Sequence, residues 1–338
     1  MRKNNTTEKL YKTNAVHFVL FRNYIILAVL YFTMAQALID DNGTLMTLSV
    51  ILTTGYCMFA ETEDVFYVLC GMTMFENVFK VSGDIAWFVP LLIFAFKILF
   101  KEKFRFDSKA LISLFLLFAL ELLVDFSNGS MGQLLVNLAT IIFVFIAFQK
   151  INTLRLNAFN IVLSLFIAFL AIIYYLLAMY GGIGSFVSSF MSASYAYRFG
   201  HSYGDTIGGA MAIPLYTTMI ISCGLTCYLK VDKLSFLHKV IVLFAVIISM
   251  VFGAMTISRS FYLGLIATII AILIFKSSNN KKHIKRTILF FAIVLIAFLL
   301  FTESDVINKI FSNLQLRLDA GMEKDSDGRG DIWISCIS

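Results

Sequence analysis

The chain has few of the residues that a soluble protein uses to interrupt its helices and to keep its surface in water. Only 14% of its 338 residues are charged, and there are two prolines and four histidines. By contrast, 59% are hydrophobic, which is more apolar surface than a soluble domain needs. Apolar runs long enough to cross a bilayer recur along the chain and are continuous rather than alternating. The sequence therefore predicts an all-α, polytopic transmembrane helical bundle.

Several chemical classes are not predicted. The five cysteines lie mostly inside apolar runs, and no histidine or further cysteine accompanies them at the spacing of zinc ligands. The sequence has no Gly-rich phosphate loop that ends in Lys-Ser or Lys-Thr. The net charge of +6 comes largely from cations in short segments between apolar runs, where they set topology. We therefore expect no metal, no cofactor and no nucleic-acid partner.

The apolar runs predict about eleven membrane spans and the start of another, in one integral-membrane domain over residues 1–338. The predicted spans are 16–39, 44–60, 65–79, 85–100, 109–126, 131–148, 158–180, 207–229, 240–257, 261–275 and 287–302. The last apolar run opens at Trp333 and reaches Ser338, the final residue, so we expect the natural chain to continue into a further span.

The distribution of lysine predicts the orientation. With a cytoplasmic N-terminus, nearly every segment on the inner side is basic, and the acidic turn at 61–64 is the exception. Two longer segments, 181–206 and 303–331, are then external. The second contains apolar residues at helical spacing after Ser304, which predicts a short amphipathic helix on the outer surface. The arginines expected on the outer face are Arg198, Arg259, Arg317 and Arg329.

Arg259 lies in the tight turn Ser258-Arg259-Ser260 between two predicted spans. An arginine between small hydroxyl residues is suited to holding an anion, because its planar fork binds phosphate or carboxylate oxygens in pairs. The alternative is a side chain that only anchors the helix at the membrane surface. Arg198 and His201 lie in the first external segment, where they either bind substrate or belong to an ordinary solvated loop.

Carboxylates gather near the predicted outer ends of spans. Glu121 and Asp125 are four residues apart and share one helical face, where they repel unless a cation or a proton relieves them. Glu76 has Lys80 four residues later, so an intrahelical ion pair is the alternative to a functional role. Ionisable groups at this depth in a membrane are candidates for function.

The stretch from Asp327 to Trp333 is polar in an otherwise apolar chain. Gly328 and Gly330 flank Arg329 and let the backbone bring its guanidinium close to an anion. The run resembles the Ser-Gly-Arg-x-x-Ile-Trp signature of the O-antigen ligase and polymerase superfamily, with Asp327 where serine is usual. Ser258-Arg259-Ser260 is similar to the Ser-Arg-Ser/Gly turn of that family, and Arg198 to its earlier outer loop.

The resemblance implies a polysaccharide polymerase or ligase in the cytoplasmic membrane with its active face external. The bias of the composition towards Asn, Lys, Ile and Phe suggests an AT-rich genome and favours the polymerase. Such an enzyme would transfer glycan repeat units from undecaprenyl pyrophosphate to an acceptor glycan, without metal or nucleotide, and could work beside other polysaccharide export proteins. Arg259 and Arg329 would stabilise the leaving pyrophosphate. Glu76, Glu121 or Asp125 would deprotonate the acceptor. Further substrate contacts would come from the residues Arg198, His201, Ser258, Ser260, Arg317, Gly328 and Trp333.

Three other readings are left open. The first is an O-antigen ligase, which shares the same implied chemistry. The second is a secondary transporter or flippase for an anionic or lipid-linked solute, which predicts ionisable residues along a path through the middle of the helices. The third is a non-enzymatic assembly subunit of an export complex.

Overall fold

A computed structural model describes residues 23–81, 86, 88–101, 156–192, 212–230, 234–256 and 258–275, together with single helical positions at 119, 141, 308, 312 and 315. These parts of the chain are helices and short connections, without a strand among them. Three helices are long and apolar enough to cross a membrane: Ala158–Met179, Ala212–Leu229 and Phe236–Met255. The prediction of an all-helical, membrane-associated protein is confirmed. Of the predicted spans 109–126, 131–148 and 287–302, only the single positions 119 and 141 are described, and both are helical.

Ten α-helices are described in full. They are α1 (Asn23–Ile39), α2 (Gly43–Phe59), α3 (Thr62–Met72), α4 (Glu76–Val81), α5 (Phe88–Lys101), α6 (Ala158–Met179), α7 (Ile183–Ser192), α8 (Ala212–Lys230), α9 (Phe236–Met255) and α10 (Arg259–Phe275). The chain divides into two compact units, Met1–Ala171 and Ile172–Ser338, and the division falls within α6.

Short polar residues set the ends of several helices. The Asn42 side chain accepts hydrogen bonds from two backbone N–H groups in the first turn of α2, and Ser235 accepts one at the start of α9. At the end of α6, the Gly182 N–H donates to the Leu177 carbonyl and the Gly181 N–H donates to Ala178. Both glycines have positive φ angles, which side chains disfavour. This pattern satisfies the last carbonyls of the helix and stops it at a fixed point.

The third predicted span, 65–79, is not one continuous α-helix. It forms α3, a 3₁₀ turn at Thr73–Phe75, and the short helix α4. A 3₁₀ turn closes its hydrogen bonds over three residues rather than four, so the side chains beyond it rotate relative to those before it. The turn and the following residues are anchored in the core, because Met74, Phe75 and Phe79 are fully buried.

The core of the first unit is centred on Tyr31 in α1. Its ring is fully buried and stacks on Phe75 with 5.8 Å between ring centroids. Its hydroxyl lies 3.0 Å from the Val68 carbonyl oxygen in α3 and 3.1 Å from Ser164 Oγ in α6. Ser164 Oγ in turn donates to the Tyr67 carbonyl. Three helices are therefore joined by hydrogen bonds at a point without exposure to solvent, which fixes their relative heights.

A second set of polar contacts links the same three helices near the start of α1. Asn23 Nδ2 donates to Asp64 Oδ2 at 2.9 Å, and the Tyr24 hydroxyl donates to Asn160 Oδ1 at 2.6 Å. The backbone N–H of Asn157 donates to the Tyr67 hydroxyl. These residues belong to α1 and α3 and to the beginning of α6, so the contacts join the same three helices a second time.

In the second unit, α8 and α10 run in the same direction with α9 between them in sequence. Thr218 lies against Gly264, and four residues later Ser222 Oγ lies 2.6 Å from Thr268 Oγ1. Repeated pairs at this spacing form a seam along one face of each helix. Small residues let helix backbones approach closely, which is the usual way that membrane helices associate. We call Thr218, Ser222, Gly264 and Thr268 the hydroxyl seam.

Candidate functional site

The turn between α9 and α10 is built by hydrogen bonds to its own backbone. The Thr256 N–H and hydroxyl both donate to the Gly253 carbonyl, at 3.2 and 2.6 Å. The Phe261 N–H donates to the Ser258 carbonyl at 3.1 Å. Arg259 is the first residue of α10. Arg259 therefore follows directly on this turn, and α10 begins two residues before the predicted span 261–275. Its predicted place at the membrane surface stays a prediction.

Two hydroxyl groups flank the arginine. Ser258 is 3% exposed whereas Ser260 is exposed, and their Oγ atoms are 2.7 Å apart. In this hydrogen bond one of the two hydroxyls donates to the other. The first backbone N–H groups of a helix also lack partners within it and carry a partial positive charge. An arginine, two serines and the N-terminus of a helix therefore fall within three consecutive residues, and this set of residue types suits an anionic group.

Packing against α9 fixes the start of α10. Phe261 is 3% exposed, and a side-chain carbon added at Gly253 would overlap its ring. The ring belongs to a buried cluster with Ile221 and Leu225 of α8 and Val246 of α9. Because Phe261 follows Arg259 by two residues, the same contact that joins three helices also determines where the arginine begins its helix.

The hydroxyl seam holds α10 against α8. A Cβ atom at Gly264 would lie 2.7 Å from Thr218 Cγ2, which is too close for any side chain. The helices α8 and α10 can therefore approach this closely only because residue 264 is a glycine. Thr218 also donates to the Pro214 carbonyl one turn earlier in its own helix. Of Ser222 and Thr268, one donates to the other, and the second donates to the carbonyl one turn earlier in its own helix. This satisfies the hydroxyls inside an apolar environment. The seam thus keeps α10 from sliding along α8 and keeps the Ser258–Arg259–Ser260 turn at one height.

Glu76 is the first residue of α4 and is half-buried, directly after the 3₁₀ turn. Its neighbours Phe75 and Val78 are fully buried, so the carboxylate lies at the edge of the core of the first unit. The expectation that it takes part in proton transfer, and the alternative of an ion pair with Lys80, both remain predictions.

The other predicted site residues lie outside the described residues: Arg198, His201, Glu121, Asp125, Arg317, Gly328, Arg329 and Trp333. Within the described ranges there is no group of three or more His, Cys, Asp or Glu side chains that could hold a metal ion.

Sequence reasoning missed a cleft in the first unit. Its volume is about 770 Å³, and it opens where α2 ends, α3 begins and α5 nears its end. Lys97 Nζ in α5 donates to the Ala60 carbonyl oxygen at the end of α2. The lining residues are Met58, Ala60, Glu61, Thr62, Ile93, Phe96, Lys97 and Phe100. The signal in the sequence is the single lysine, Lys97, inside the apolar run 85–100, a run that predicts a membrane span.

Comparison with known proteins adds no family to this description. Protein-family models, curated proteins and solved structures were all searched, and none of them matches the chain.

Proposed function

We propose that this protein is a membrane polysaccharide polymerase. It transfers glycan repeat units from an undecaprenyl-pyrophosphate carrier to an acceptor glycan on the outer face of the cytoplasmic membrane. The observation that supports this most directly is the turn Ser258–Arg259–Ser260 at the N-terminus of α10, in which an arginine and a pair of hydroxyls 2.7 Å apart occupy one helix end.

The turn supplies what a pyrophosphate leaving group requires. As the bond from the anomeric carbon to the pyrophosphate oxygen breaks, negative charge grows on that oxygen. Donors already in position stabilise this charge without having to reorganise. The Arg259 guanidinium provides a pair of parallel N–H groups, and the N-terminus of α10, with Ser258 and Ser260 beside it, adds a polar surface with a partial positive charge. In the proposal Arg329, with Arg198, contacts the second phosphoryl group.

The acceptor side of the reaction needs a base. The acceptor hydroxyl oxygen forms the new bond to the anomeric carbon, and its proton passes to a carboxylate of the protein. Glu76 is the candidate among the described residues, and Glu121 and Asp125 are the candidates elsewhere in the chain. The displaced lipid pyrophosphate leaves with the electron pair of the broken bond, so neither an oxidant nor a nucleotide takes part.

The proposal is tested by replacing Arg259 with two residues of different chemistry. Arg259→Gln removes the charge, and Arg259→Lys keeps the charge but loses the planar fork. The polymer made in cells is sized by gel electrophoresis, and lipid-linked single repeat units are measured in the membrane fraction. Loss of one such donor costs about 100-fold or more in rate, so we expect long polymer to disappear and single units to accumulate in the Gln variant. The Lys variant is expected to make shorter polymer.

Lys239→Gln provides the matched control, because Lys239 is also a cation in the first turn of an apolar helix, α9. It should leave the length distribution unchanged. Normal polymer in Arg259→Gln, with the protein present in the membrane at wild-type level, would refute the proposed role. Accumulation of single units in both Arg259→Gln and Lys239→Gln would instead point to a general loss of folded protein.

The proposal also requires an orientation. A reporter enzyme fused after Lys282 should be active only in the cytoplasm, and one fused after Lys324 only outside. Since lysine-rich segments are retained on the inner side, the first result follows from the run of cations at 276–286. The opposite pattern at both positions would place Arg259 on the inner face, where the reaction proposed here does not occur.

A further inference from the structure

The cleft between α2, α3 and α5 lies at helix ends rather than in the middle of the helices. Ala60 follows α2, Thr62 opens α3, and Phe100 is the penultimate residue of α5. Both α2 and α5 are apolar helices of 17 and 14 residues. Ends of apolar helices come to the boundary between hydrocarbon and water, where lipid headgroups lie. The cleft is thus placed to meet a headgroup and the first part of its acyl chains.

Lys97 provides a cation inside this cleft. Its ammonium donates to the Ala60 carbonyl, which is one of the acceptors left without a partner at the end of α2. An ammonium group carries three donors. Within the described part of the chain this is its one hydrogen bond, so two donors remain for a ligand. The side chain is half-buried, which makes its position well defined while leaving the cleft side accessible.

Glu61 provides a carboxylate beside the cation. It is exposed and occupies the residue before α3, but its side chain makes no hydrogen bond to the helix that follows. Its backbone carbonyl does accept from the Val65 N–H, so the residue is fixed in the chain while its carboxylate is not used in capping. The cleft therefore presents one positive and one negative group at the same rim.

The remaining wall is apolar and exposed. Met58 is 60% exposed, Phe96 56% and Phe100 85%. Phe96 and Phe100 are one helical turn apart, and their rings stack with 6.2 Å between centroids. Two stacked rings on the outside of a helix, next to a charged rim, form a surface for an apolar chain that is attached to a polar head.

We propose that this cleft binds a zwitterionic phospholipid, with its phosphate on Lys97, its ammonium on Glu61 and an acyl chain along Phe96 and Phe100. Charge complementarity selects this occupant. An anionic headgroup would gain from Lys97 but would also face Glu61, with Glu63 and Asp64 in the same first turn of α3. A headgroup that carries both charges satisfies both partners. The proposal goes beyond the proposed reaction and does not depend on it.

The test uses the full chain in detergent and counts bound lipid by native mass spectrometry. The probes are phosphatidylethanolamine and phosphatidylglycerol with the same acyl chains, offered separately and in equal mixture. The wild-type protein should retain phosphatidylethanolamine in preference. Glu61→Gln should lower this preference about threefold, which is the size expected for one partly exposed charge pair. Glu61→Lys should reverse it, because the rim then carries two cations.

Lys97→Gln should weaken the binding of both lipids, since both carry a phosphate. Because Lys97 also caps α2, the thermal midpoint of the Lys97→Gln variant is measured in parallel. If that variant does not fold, the variants at the exposed residue Glu61 still test the proposal. Lys239→Gln is the control and should retain both lipids as the wild type does. Equal retention of the two lipids by the wild type, or a preference that Glu61→Lys leaves unchanged, would overturn the proposal. Polymer length is not measured here, so a negative result leaves the proposed reaction untouched.

Discussion

The contact between Gly253 and Phe261 predicts a destabilising effect for a substitution that normally helps a helix. In Gly253→Ala the new methyl group would overlap the Phe261 ring, with the Cζ and Cδ2 atoms at 2.6 and 2.7 Å. The ring is buried among α8 and α9 side chains and cannot turn away freely. Overpacking of this kind costs about 1–3 kcal/mol. Replacing glycine by alanine in a helix offsets about 0.5–1 kcal/mol of this cost, so the middle of these ranges gives a net loss of about 1 kcal/mol in the free energy of unfolding.

This loss is measurable as a change in thermal midpoint. For a unit of this size each kcal/mol shifts the midpoint by about 2–4 °C, so we expect Gly253→Ala to unfold about 3 °C lower. The assay follows labelling of thiols by a fluorogenic maleimide on heating in detergent. Cys223 and Cys227 in α8 are free, and Cys227 is fully buried, so unfolding of the second unit exposes them.

The matched control is Gly55→Ala in α2, because a Cβ at Gly55 would have nothing within 4 Å. Its midpoint should stay the same or rise. Replacing the Phe261 ring by the smaller leucine side chain should relieve the clash. The double variant Gly253→Ala/Phe261→Leu is therefore expected to lose less free energy of unfolding than the two single variants added together, by about 0.5 kcal/mol or more. A midpoint for Gly253→Ala at or above the wild-type value would show that Phe261 is not fixed as described.

Three further predictions concern other contacts. Gly71→Ala should lower the thermal midpoint, since its methyl group would overlap the Tyr31 ring; an unchanged midpoint would contradict that packing. Asn157→Ala should cost about 0.5–2 kcal/mol because the side chain caps α6, whereas Asn157→Asp should be tolerated; equal effects of the two changes would argue against a capping role. A double-mutant cycle with Ser222→Ala and Thr268→Ala should give a coupling of about 0.6 kcal/mol in thermal or denaturant unfolding, and strict additivity would mean that their hydrogen bond contributes nothing.

Hydrophobic patterning predicted most of the described helices to within a few residues. The predicted span 44–60 is observed as Gly43–Phe59, and 158–180 as Ala158–Met179. Both have an asparagine before the first turn, and the second has Gly181 and Gly182 after its last turn, so local signals agree with the apolar run. Where the pattern alone set the boundary, as at 240–257, the helix begins four residues earlier, at Phe236, because Ser235 caps it.

Two features escaped prediction for physical reasons. The break in 65–79 arises from packing of Met74 and Phe75 in the core, and an apolar run looks the same whether its hydrogen bonds close over three residues or four. Helix α7 lies in a segment rich in glycine and serine that was predicted as an external segment. Its Phe186 is buried and contacts Tyr180, so tertiary packing outweighs weak local preference.

In the candidate site, too, the residue types follow from the sequence, whereas their burial and exact placement depend on contacts with other helices. The residue types in the turn predict an arginine between two apolar helices with a hydroxyl residue on each side. The difference in burial between Ser258 and Ser260, and the role of Phe261 in locating the turn, depend on residues of α8 and α9. The cleft at Lys97 depends on a hydrogen bond to Ala60, 37 residues earlier in the chain, which no local pattern encodes.

In related chains, helices α8, α9 and α10 should differ in how freely their residues change. Along α9, Phe244 and Val251 are exposed, and only 28% of its most apolar stretch is buried among the protein. Any large apolar residue suffices there, so related chains can exchange Leu, Ile, Val and Phe at these positions without consequence. The hydroxyl seam between α8 and α10 admits only small side chains. Distant relatives should therefore be aligned on the spacing of the small residues in α8 and α10, because sequence identity over these helices would underestimate how closely the chains are related.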